Sequence, residues 1–173
     1  MTYGPFEKEA AFESWFAASC SQADPFFYAI VDAASSAVMG FASYLRIAPS
    51  VGAIEIGNVY FSRTLRRSAL ATEAMYLMMR HAIEDLGYRR YEWKCDSLNA
   101  PSRAAAQRFG FSFEGIFRQA TLYKERNRDT AWFAVIDRDW PNVKRAFERW
   151  LDPSNFNADG SQKISLSALR ERD

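Results

Sequence analysis

The sequence contains few of the side chains that hold metal ions or form disulfides. Its 173 residues include 2 cysteines, Cys20 and Cys95, and 1 histidine, His81. These three side chains cannot by themselves complete a tetrahedral zinc site, and two cysteines do not build a disulfide framework. We therefore predict a protein of a reducing compartment that uses no metal ion.

The sequence also has no excess of charge of either sign and no long apolar run. Lysine and arginine number 22 against 21 aspartates and glutamates, which gives a net charge of +1. Such a balance provides no field to attract nucleic acid or an anionic membrane. No apolar run is long enough to span a bilayer, and the chain does not open with a secretory signal pattern. We therefore expect a cytoplasmic protein without nucleic-acid or membrane partners, whose anion sites are made by local arginines.

Apolar and aromatic side chains are abundant. Hydrophobic residues make up 49% of the chain and aromatic residues 16%, which is enough for one domain with a substantial core. After Leu151 the composition shifts to Asp, Asn, Ser and Gly. We predict a single domain at residues 1–151 and a loosely held polar tail at residues 152–173.

Alternating and helical spacings of apolar residues divide the domain into strands and helices. The strand, helix and strand at 53–61, 69–86 and 90–96 imply a parallel crossover, whereas strands 26–31 and 38–47 favour an antiparallel hairpin. The fold class is therefore mixed α/β, with a predominantly antiparallel sheet and a central parallel pair of strands. The predicted helices are 7–18, 69–86, 99–109 and 141–150, and the predicted strands are 26–31, 38–47, 53–61, 90–96, 111–123 and 130–136.

A basic turn connects the predicted strand 53–61 to the helix that follows it. The turn carries Arg63, Arg66 and Arg67 and leads into a helix N-terminus, where free backbone N–H groups and the positive end of the helix dipole meet. Such a junction favours a phosphate group. The alternative is a solvated basic turn that only caps the helix.

The residues of this junction resemble a known coenzyme-binding loop. Residues 66–71 read Arg-Arg-Ser-Ala-Leu-Ala and are similar to the pyrophosphate loop, (Gln/Arg)-x-x-Gly-x-(Gly/Ala), of the GCN5-related N-acetyltransferase (GNAT) superfamily. The run Ala71-Thr72-Glu73-Ala74 is typical of the ribosomal-protein-alanine, or RimJ/RimL-type, group within it. Ala69 stands where that loop usually has glycine, and a residue with helical φ and ψ carries the extra methyl group without strain.

The resemblance implies the acyl-CoA N-acyltransferase fold over nearly the whole chain, without the strand and helix that usually come first. It also implies an enzyme that passes the acetyl group of acetyl-CoA directly to a primary amine, of a small molecule or a protein N-terminus, in a ternary complex. Without that first strand, the backbone of residues 26–31 would be open to pairing with another chain, as in a homodimer. Two alternatives remain: a coenzyme-binding regulatory or scaffold module without catalysis, and a nucleic-acid binder that uses Arg63, Arg66 and Arg67.

The resemblance further implies which residues contact the coenzyme. Backbone groups of Val59, Tyr60 and Phe61 would pair with the pantetheine arm as another strand would. Asn99 occupies the position of a coenzyme-contacting asparagine, and it can also be read as the N-cap of the helix 99–109. Backbone N–H groups from Arg67 to Thr72 would bind the pyrophosphate, and the side chains of Arg63, Arg66 and Arg67 would lie near enough to meet further phosphate charge. The predicted coenzyme-binding residues of the loop are Arg66, Arg67, Ser68, Ala69, Leu70, Ala71 and Thr72.

Ser102 and Glu55 are the candidate catalytic residues under the same resemblance. Ser102 aligns with a serine that lies near the thioester sulfur and donates a proton to the leaving thiolate; a first-turn helix hydroxyl is the alternative. Ala106 stands where many superfamily members have a tyrosine acid, which excludes that acid here. Glu55 aligns with a glutamate that removes the amine proton, directly or through water. A solvent-facing glutamate is the alternative for Glu55, and Glu92, Asp96 and a water chain compete for the role of base.

Residues near the predicted hairpin tip at 124–128 complete the set of candidates. Arg126 and Arg128 could clamp an acceptor carboxylate or peptide backbone, although a run of this kind is more often a solvated turn with internal ion pairs. Tyr123 and Trp132 could line an acceptor groove, although an aromatic core is their commoner use.

Overall fold

The computed structural model describes residues 3–171, which form one six-stranded sheet and five α-helices. The helices are α1 (Glu9–Cys20), α2 (Ala69–Arg80), α3 (Ala100–Arg108), α4 (Trp140–Leu151) and α5 (Leu166–Arg170). The strands are β1 (Phe26–Val31), β2 (Val38–Ala48), β3 (Ala53–Phe61), β4 (Arg90–Asp96), β5 (Ser112–Tyr123) and β6 (Arg126–Ile136).

The spatial order of the strands is β1-β2-β3-β4-β6-β5. β3 and β4 are parallel and are joined through α2, whereas every other neighbouring pair is antiparallel. The predicted mixed α/β fold with a central parallel pair is confirmed. Among the described strands, β1 and β5 form the two edges of the sheet.

Periodicity predicts the bounds of β1, β3 and β4 as the structure has them, and those of α1, α3, α4, β2 and β5 to within two residues. The helix α2 and the strand β6 differ by more. The helix predicted to reach residue 86 is α-helical only to Arg80 and continues as a π-helical turn, His81–Asp85, before Gly87 ends it with φ 74°. The hairpin tip predicted at 124–128 is a turn of two residues, Lys124 and Glu125, with φ of 48° and 59°. Polar residues 126–128 therefore belong to β6 and pair across to β5, because two consecutive positive φ values suffice to reverse a hairpin.

β3 and β4 separate part-way along their length. Their pairing runs from Ala53↔Arg90 to Ile56↔Trp93 and then stops. At this point β3 contains a bulge against β2, with Asn58 at φ 49° and its side-chain amide donating to Ser43 Oγ at 2.9 Å. A bulge bends and twists its strand, and here it accompanies a V-shaped opening between the C-terminal ends of the parallel pair.

Gly40 of β2 lies opposite this bulge. A Cβ atom at that position would stand inside contact distance of the Tyr60 carbonyl oxygen. Because the obstacle is backbone rather than a flexible side chain, neither strand could keep its path with a larger residue there. Glycine thus permits the close approach of β2 to the bulged part of β3.

One face of the sheet packs against α2, α3 and α4. Ile54, Ile56 and Tyr91 on the central strands are each at most 2% exposed, and they contact a core that includes Met75 of α2 and Phe147 of α4. This packing fixes α2, and with it the turn at its N-terminus, against the central strands. The neighbouring positions of β3 and β4, such as Glu55 and Lys94, point to the opposite face.

The segment after Leu151 is folded, which corrects the expectation of a loosely held tail for the described part, residues 152–171. Leu166 and Leu169 are 1% and 3% exposed and join the core. The Asn155 side chain bridges the segment by donating to the carbonyls of Trp150 and Ile164, each at 3.1 Å. Polar composition predicted mobility, but two leucines and one buried amide are sufficient to anchor the chain.

Candidate active site

A cavity of about 1530 Å³ opens where β3 and β4 separate. This volume exceeds the several hundred Å³ typical of a drug-sized ligand site and suits a long coenzyme together with an acceptor. The cavity is strongly basic although the whole chain has a net charge of only +1. Among the described lining residues the cations are Arg46, Arg66, Arg67, Lys94, Arg108, Arg126 and Arg128, and the anions are Glu55 and Asp96.

The basic turn forms one wall of the cavity and presents free amides to it. Ser68 is the N-cap of α2, and its Oγ accepts from the Ala71 amide at 3.1 Å. The amide of Ala71 is thus already used within the protein. Within residues 3–171, no hydrogen bond uses the amides of Arg67, Ala69 and Leu70, so these three are available to an anion. Arg67 and Ala69 line the cavity, whereas Leu70 is exposed and is not among the described lining residues.

Ala69 takes the usual place of a glycine without backbone strain. It is the first residue of α2, so its φ and ψ are helical, and the positive φ of the turn, 62°, falls on Arg67 instead. A methyl group at position 69 therefore has no effect on the conformation of the loop.

The arginine side chains of the turn differ in their surroundings. Arg66 folds back so that its Nε donates to the Phe61 carbonyl at 3.1 Å, which ties the turn to the end of β3. Arg67 lines the cavity. Arg63 is exposed and is not among the described residues that line the cavity.

Arg108 of α3 is a cavity residue that the sequence analysis missed. Its guanidinium donates to Thr72 Oγ1 at 3.1 Å and lies 5.1 Å from the Trp150 ring centroid. Burial, and then the nearby Arg170, lower the pKa of Arg108. No ion pair neutralises it within the described chain. Only the tertiary fold brings this helix residue to the start of α2, so sequence spacing carries no signal of it.

The C-terminal segment supplies a further part of the same wall. Phe156, Ser161 and Gln162 line the cavity, and Arg170 holds the segment to the end of α3 by donating to the carbonyls of Arg108 and Gln107. The tail expected to lie outside the domain thus contributes to the cavity.

Val59, Tyr60 and Phe61 also line the cavity, beyond the last paired residues of β3 and β4. Asn99 lies across the opening and is the N-cap of α3, with its Oδ1 accepting from the Ser102 amide at 3.1 Å. The side-chain amide nitrogen of Asn99 makes no hydrogen bond among the described residues and borders the cavity. The capping role is therefore present, and the geometry leaves a donor free for a ligand.

Ser102 lies in the first turn of α3 and also borders the cavity. Trp93 Nε1 donates to its Oγ at 3.0 Å. An indole N–H is only a donor, so the serine oxygen is the acceptor in this pair and its own hydrogen is left to point elsewhere. The neighbouring Cys95 is buried, which raises the pKa of its thiol and keeps it a poor nucleophile.

Glu55 is buried on the β3 strand, 3% exposed, rather than facing solvent. Its Oε1 accepts from Arg46 Nη1 at 2.8 Å, and its Oε2 lies 3.0 Å from Lys94 Nζ without a donor in good hydrogen-bond geometry. Burial raises the pKa of Glu55, and the two cations oppose this only in part. A carboxylate held in this way borders the cavity and keeps one oxygen incompletely satisfied.

The competing carboxylates are placed differently. Glu92 lies 2.6 Å from Lys94 and from Arg90 and is not among the described lining residues. Asp96 borders the cavity, and its Oδ2 accepts from Tyr123 and from Arg126, each at 2.9 Å. Asp96 is thus more fully hydrogen-bonded than Glu55.

Tyr123 and Trp132 are both candidates for lining an acceptor groove, and only Tyr123 lies at the cavity. Tyr123 lines the cavity, between Asp96 and the guanidinium of Arg126. Trp132 is not among the described lining residues and lies beneath Lys94, with Nζ 3.8 Å from its ring centroid. Arg126 is engaged with Asp96, whereas Arg128 has no ion pair in the part of the chain that the structure describes.

A family model described as the acetyltransferase (GNAT) domain matches residues 1–112. The chain belongs to the GNAT acetyltransferase family. It is 47% identical to a GCN5-related N-acetyltransferase from Brucella melitensis, with a TM-score of 0.95 over 99% of this chain and 77% of that one. It is 50% identical to a GNAT-family protein from Chromobacterium violaceum described as a probable acetyltransferase, with a TM-score of 0.78 over 82% and 71% of the two chains. No curated protein matches.

This membership makes the GNAT protein an acyltransferase and identifies acetyl-CoA as its cosubstrate. It favours catalysis over the alternative of a non-catalytic coenzyme-binding module. A structure from Vibrio cholerae that is described as a candidate ribosomal-protein-serine acetyltransferase shares the fold at 20% identity and a TM-score of 0.62. Within residues 3–171, no helix has the length and apolar composition to cross a bilayer, and no three His, Cys, Asp or Glu side chains are grouped to hold a metal ion.

Proposed function

We propose that this GNAT protein transfers the acetyl group of acetyl-CoA directly to a primary amine in a ternary complex, as a member of the RimJ/RimL-type group. The observation that carries the proposal is the basic cavity at the separation of β3 and β4, which is bordered by free amides, a serine hydroxyl and a buried carboxylate. Each of these groups matches one requirement of acetyl transfer to an amine. The acceptor is an amine of a small molecule or of a protein N-terminus.

The residues that hold the coenzyme lie around the start of α2. The free amides of Arg67, Ala69 and Leu70, with the helix dipole, bind the pyrophosphate. The guanidinium of Arg108, which has no anionic partner in the described chain, adds charge beside Thr72. Val59, Tyr60 and Phe61 offer backbone groups to the pantetheine arm, because β4 no longer pairs with them.

Ser102 supplies the proton that the sulfur leaving group needs. Its oxygen is occupied by Trp93, so its hydrogen can be directed toward a ligand atom in the cavity. The side-chain amide of Asn99 lies at the same opening and adds a contact to the coenzyme. A neutral hydroxyl in this setting is a donor to a developing thiolate.

Glu55 accepts the proton that the amine loses. Burial raises its pKa above that of an ordinary glutamate, which makes the carboxylate a better base near neutral pH. The side chain is only 4% exposed, so an ordered water relays the proton from the amine to the carboxylate.

A thiol-release assay with acetyl-CoA and a panel of small amines and N-terminal peptides tests the function. We expect turnover with at least one class of amine, and no turnover with any amine despite tight coenzyme binding would support the non-catalytic alternative.

Two variants of one turn test the coenzyme site, with calorimetric titration of coenzyme A as the readout. Arg67→Asp reverses a charge that lines the cavity, so we expect the affinity to fall by about tenfold or more. Arg63→Asp makes the same change in the same turn outside the cavity and should leave the affinity within about twofold. Equal effects of the two variants would argue against the loop as the binding site.

A further inference from the structure

We propose that the acceptor amine carries an oxyanion, a carboxylate or a phosphate, and that Arg128 binds it. The inference rests on the proposed transfer to an amine and adds the chemical class of the acceptor. It begins from the charges on the sheet face opposite the helical core, where nearly every cation has a carboxylate partner. The pairs are Arg46 with Glu55 at 2.8 Å, Lys94 with Glu55 at 3.0 Å and with Glu92 at 2.6 Å, and Arg126 with Asp96 at 2.9 Å.

Arg128 is the exception on this face. Within the described residues its side chain makes no hydrogen bond and no ion pair, and its Nε is buried without a partner. Its guanidinium lies 5.8 Å from the Tyr123 ring centroid and borders the cavity. Its charge helps to lower the pKa of Asp96, but the two groups form no ion pair or hydrogen bond among the described residues. A partly buried guanidinium without an acceptor is unfavourable for the free protein. A bound ligand that supplies the acceptor would remove this unfavourable free energy.

The position of Arg128 assigns it to the acceptor rather than to the coenzyme phosphates. It is two residues before Thr130, which pairs with Asp96 of β4. Because side chains alternate along a strand, Arg128 shares the sheet face of Trp132, which contacts Lys94. The start of α2, where the free amides lie, is on the other face with the helical core.

The shape of the guanidinium specifies the ligand group. Its planar set of N–H donors matches two oxygens of a carboxylate or phosphate. Glu55 and Arg128 lie on the same face at the same cavity, so one acceptor can direct its amine toward the carboxylate and its oxyanion toward the arginine. A polyamine, which has only positive charge, would instead meet the unpaired cation.

Matched pairs of amines that differ in one anionic group test the inference. The pairs are alanine and alaninamide, phosphoethanolamine and ethanolamine, and Ala-Glu and Ala-Gln peptides of the same length with amidated C-termini. Affinity for the complex with coenzyme A is measured by calorimetry and turnover by thiol release. We expect the anionic member of at least one pair to bind about tenfold more tightly or better. The pair that shows the preference identifies the source of the oxyanion.

Variants of Arg128 assign the preference to this residue. Arg128→Met should reduce the preference to about twofold or less, and Arg128→Lys should restore part of it, because lysine keeps the charge but not the planar donor pair. The control Arg138→Met removes an exposed arginine outside this cavity and should keep the wild-type preference.

Three results would overturn the inference: equal binding of both members in all pairs, a preference unchanged in Arg128→Met, or a loss of coenzyme A affinity in Arg128→Met. A preserved binding preference without acetylation of any amine would support the oxyanion site and contradict only the proposed transfer.

Discussion

Trp93 on β4 donates its indole N–H to the hydroxyl oxygen of Ser102 in the first turn of α3, at 3.0 Å. The contact joins a strand and a helix on one side of the cavity. The serine oxygen that accepts from Trp93 keeps its own hydrogen, which can be donated to the neighbouring Cys95 sulfur or to a ligand.

Ser102→Ala should lower kcat by about 100-fold while leaving the affinity for coenzyme A nearly unchanged, because general-acid catalysis contributes at least that much. Steady-state kinetics and calorimetry measure the two effects separately. Ser97→Ala, a nearby serine whose side chain makes no hydrogen bond in the described structure, is the control. A wild-type kcat in Ser102→Ala would return Ser102 to the role of an ordinary helix residue.

Glu55→Gln should lower kcat/KM at neutral pH and remove the low-pH limb of its pH profile. A base must be ionised, and burial raises the pKa of Glu55 above its usual 4.5. Wild-type activity should therefore rise with pH as the pH passes this raised value. The pH profile is measured with two acceptors whose amines have different pKa values. A low-pH limb that is due to Glu55 keeps the same midpoint with both acceptors, whereas a limb that is due to protonation of the amine shifts with the acceptor.

Glu92→Gln is the matched control for Glu55→Gln. Glu92 is similarly buried and shares Lys94 with Glu55, but it does not line the cavity among the described residues. Equal losses of activity in the two variants would mean that the ion-pair network supports the fold and that Glu55 is not the base.

Arg108→Met should weaken coenzyme A binding by about tenfold, because it removes an unneutralised cation beside the free amides. Burial and Arg170 disfavour the charged form of Arg108, so the free energy of unfolding should change by less than about 1 kcal/mol. Calorimetry and denaturant unfolding check the two effects. Arg118→Met, at an exposed position on β5, should leave both quantities unchanged. Unaltered affinity in Arg108→Met would remove this residue from the coenzyme site.

Leu166→Ala should lower the free energy of unfolding by about 2–5 kcal/mol, because Leu166 is 1% exposed and packed in the core. Urea denaturation followed by fluorescence measures this change. Ser167→Ala, at the next position, should alter stability by less than about 0.5 kcal/mol. If Leu166→Ala were equally neutral, residues 152–171 would be the loose tail that composition predicts.

The central strands and the helix at residue 69 could be predicted from the sequence because their information is local. Alternation of apolar residues gives β3 and β4 directly, and the helical spacing of Ala71, Ala74 and Met75 gives the start of α2. The basic turn is local as well, since a short run of residues between a strand and a helix suffices to suggest a phosphate site.

Features that depend on distant residues could not be predicted. Arg108 reaches Thr72 across 36 residues, and Leu166 is buried only because α4 and α5 pack together. The ion pair of Glu55 likewise involves Arg46 from a neighbouring strand. No local spacing records these contacts, and the polar composition after Leu151 pointed in the wrong direction.

Gly40 is a further residue whose importance depends on a contact that is distant in sequence, although it has no side chain. β2 passes close to the bulge of β3, beside the point where β3 and β4 separate, and that approach is available because nothing projects from residue 40 toward the Tyr60 carbonyl. A methyl group added at residue 40 would displace β2 or β3 beside the cavity, while every polar group proposed for the reaction would remain chemically intact. Loss of function at this position would then arise from altered strand geometry alone, in a protein with all of its reactive groups present.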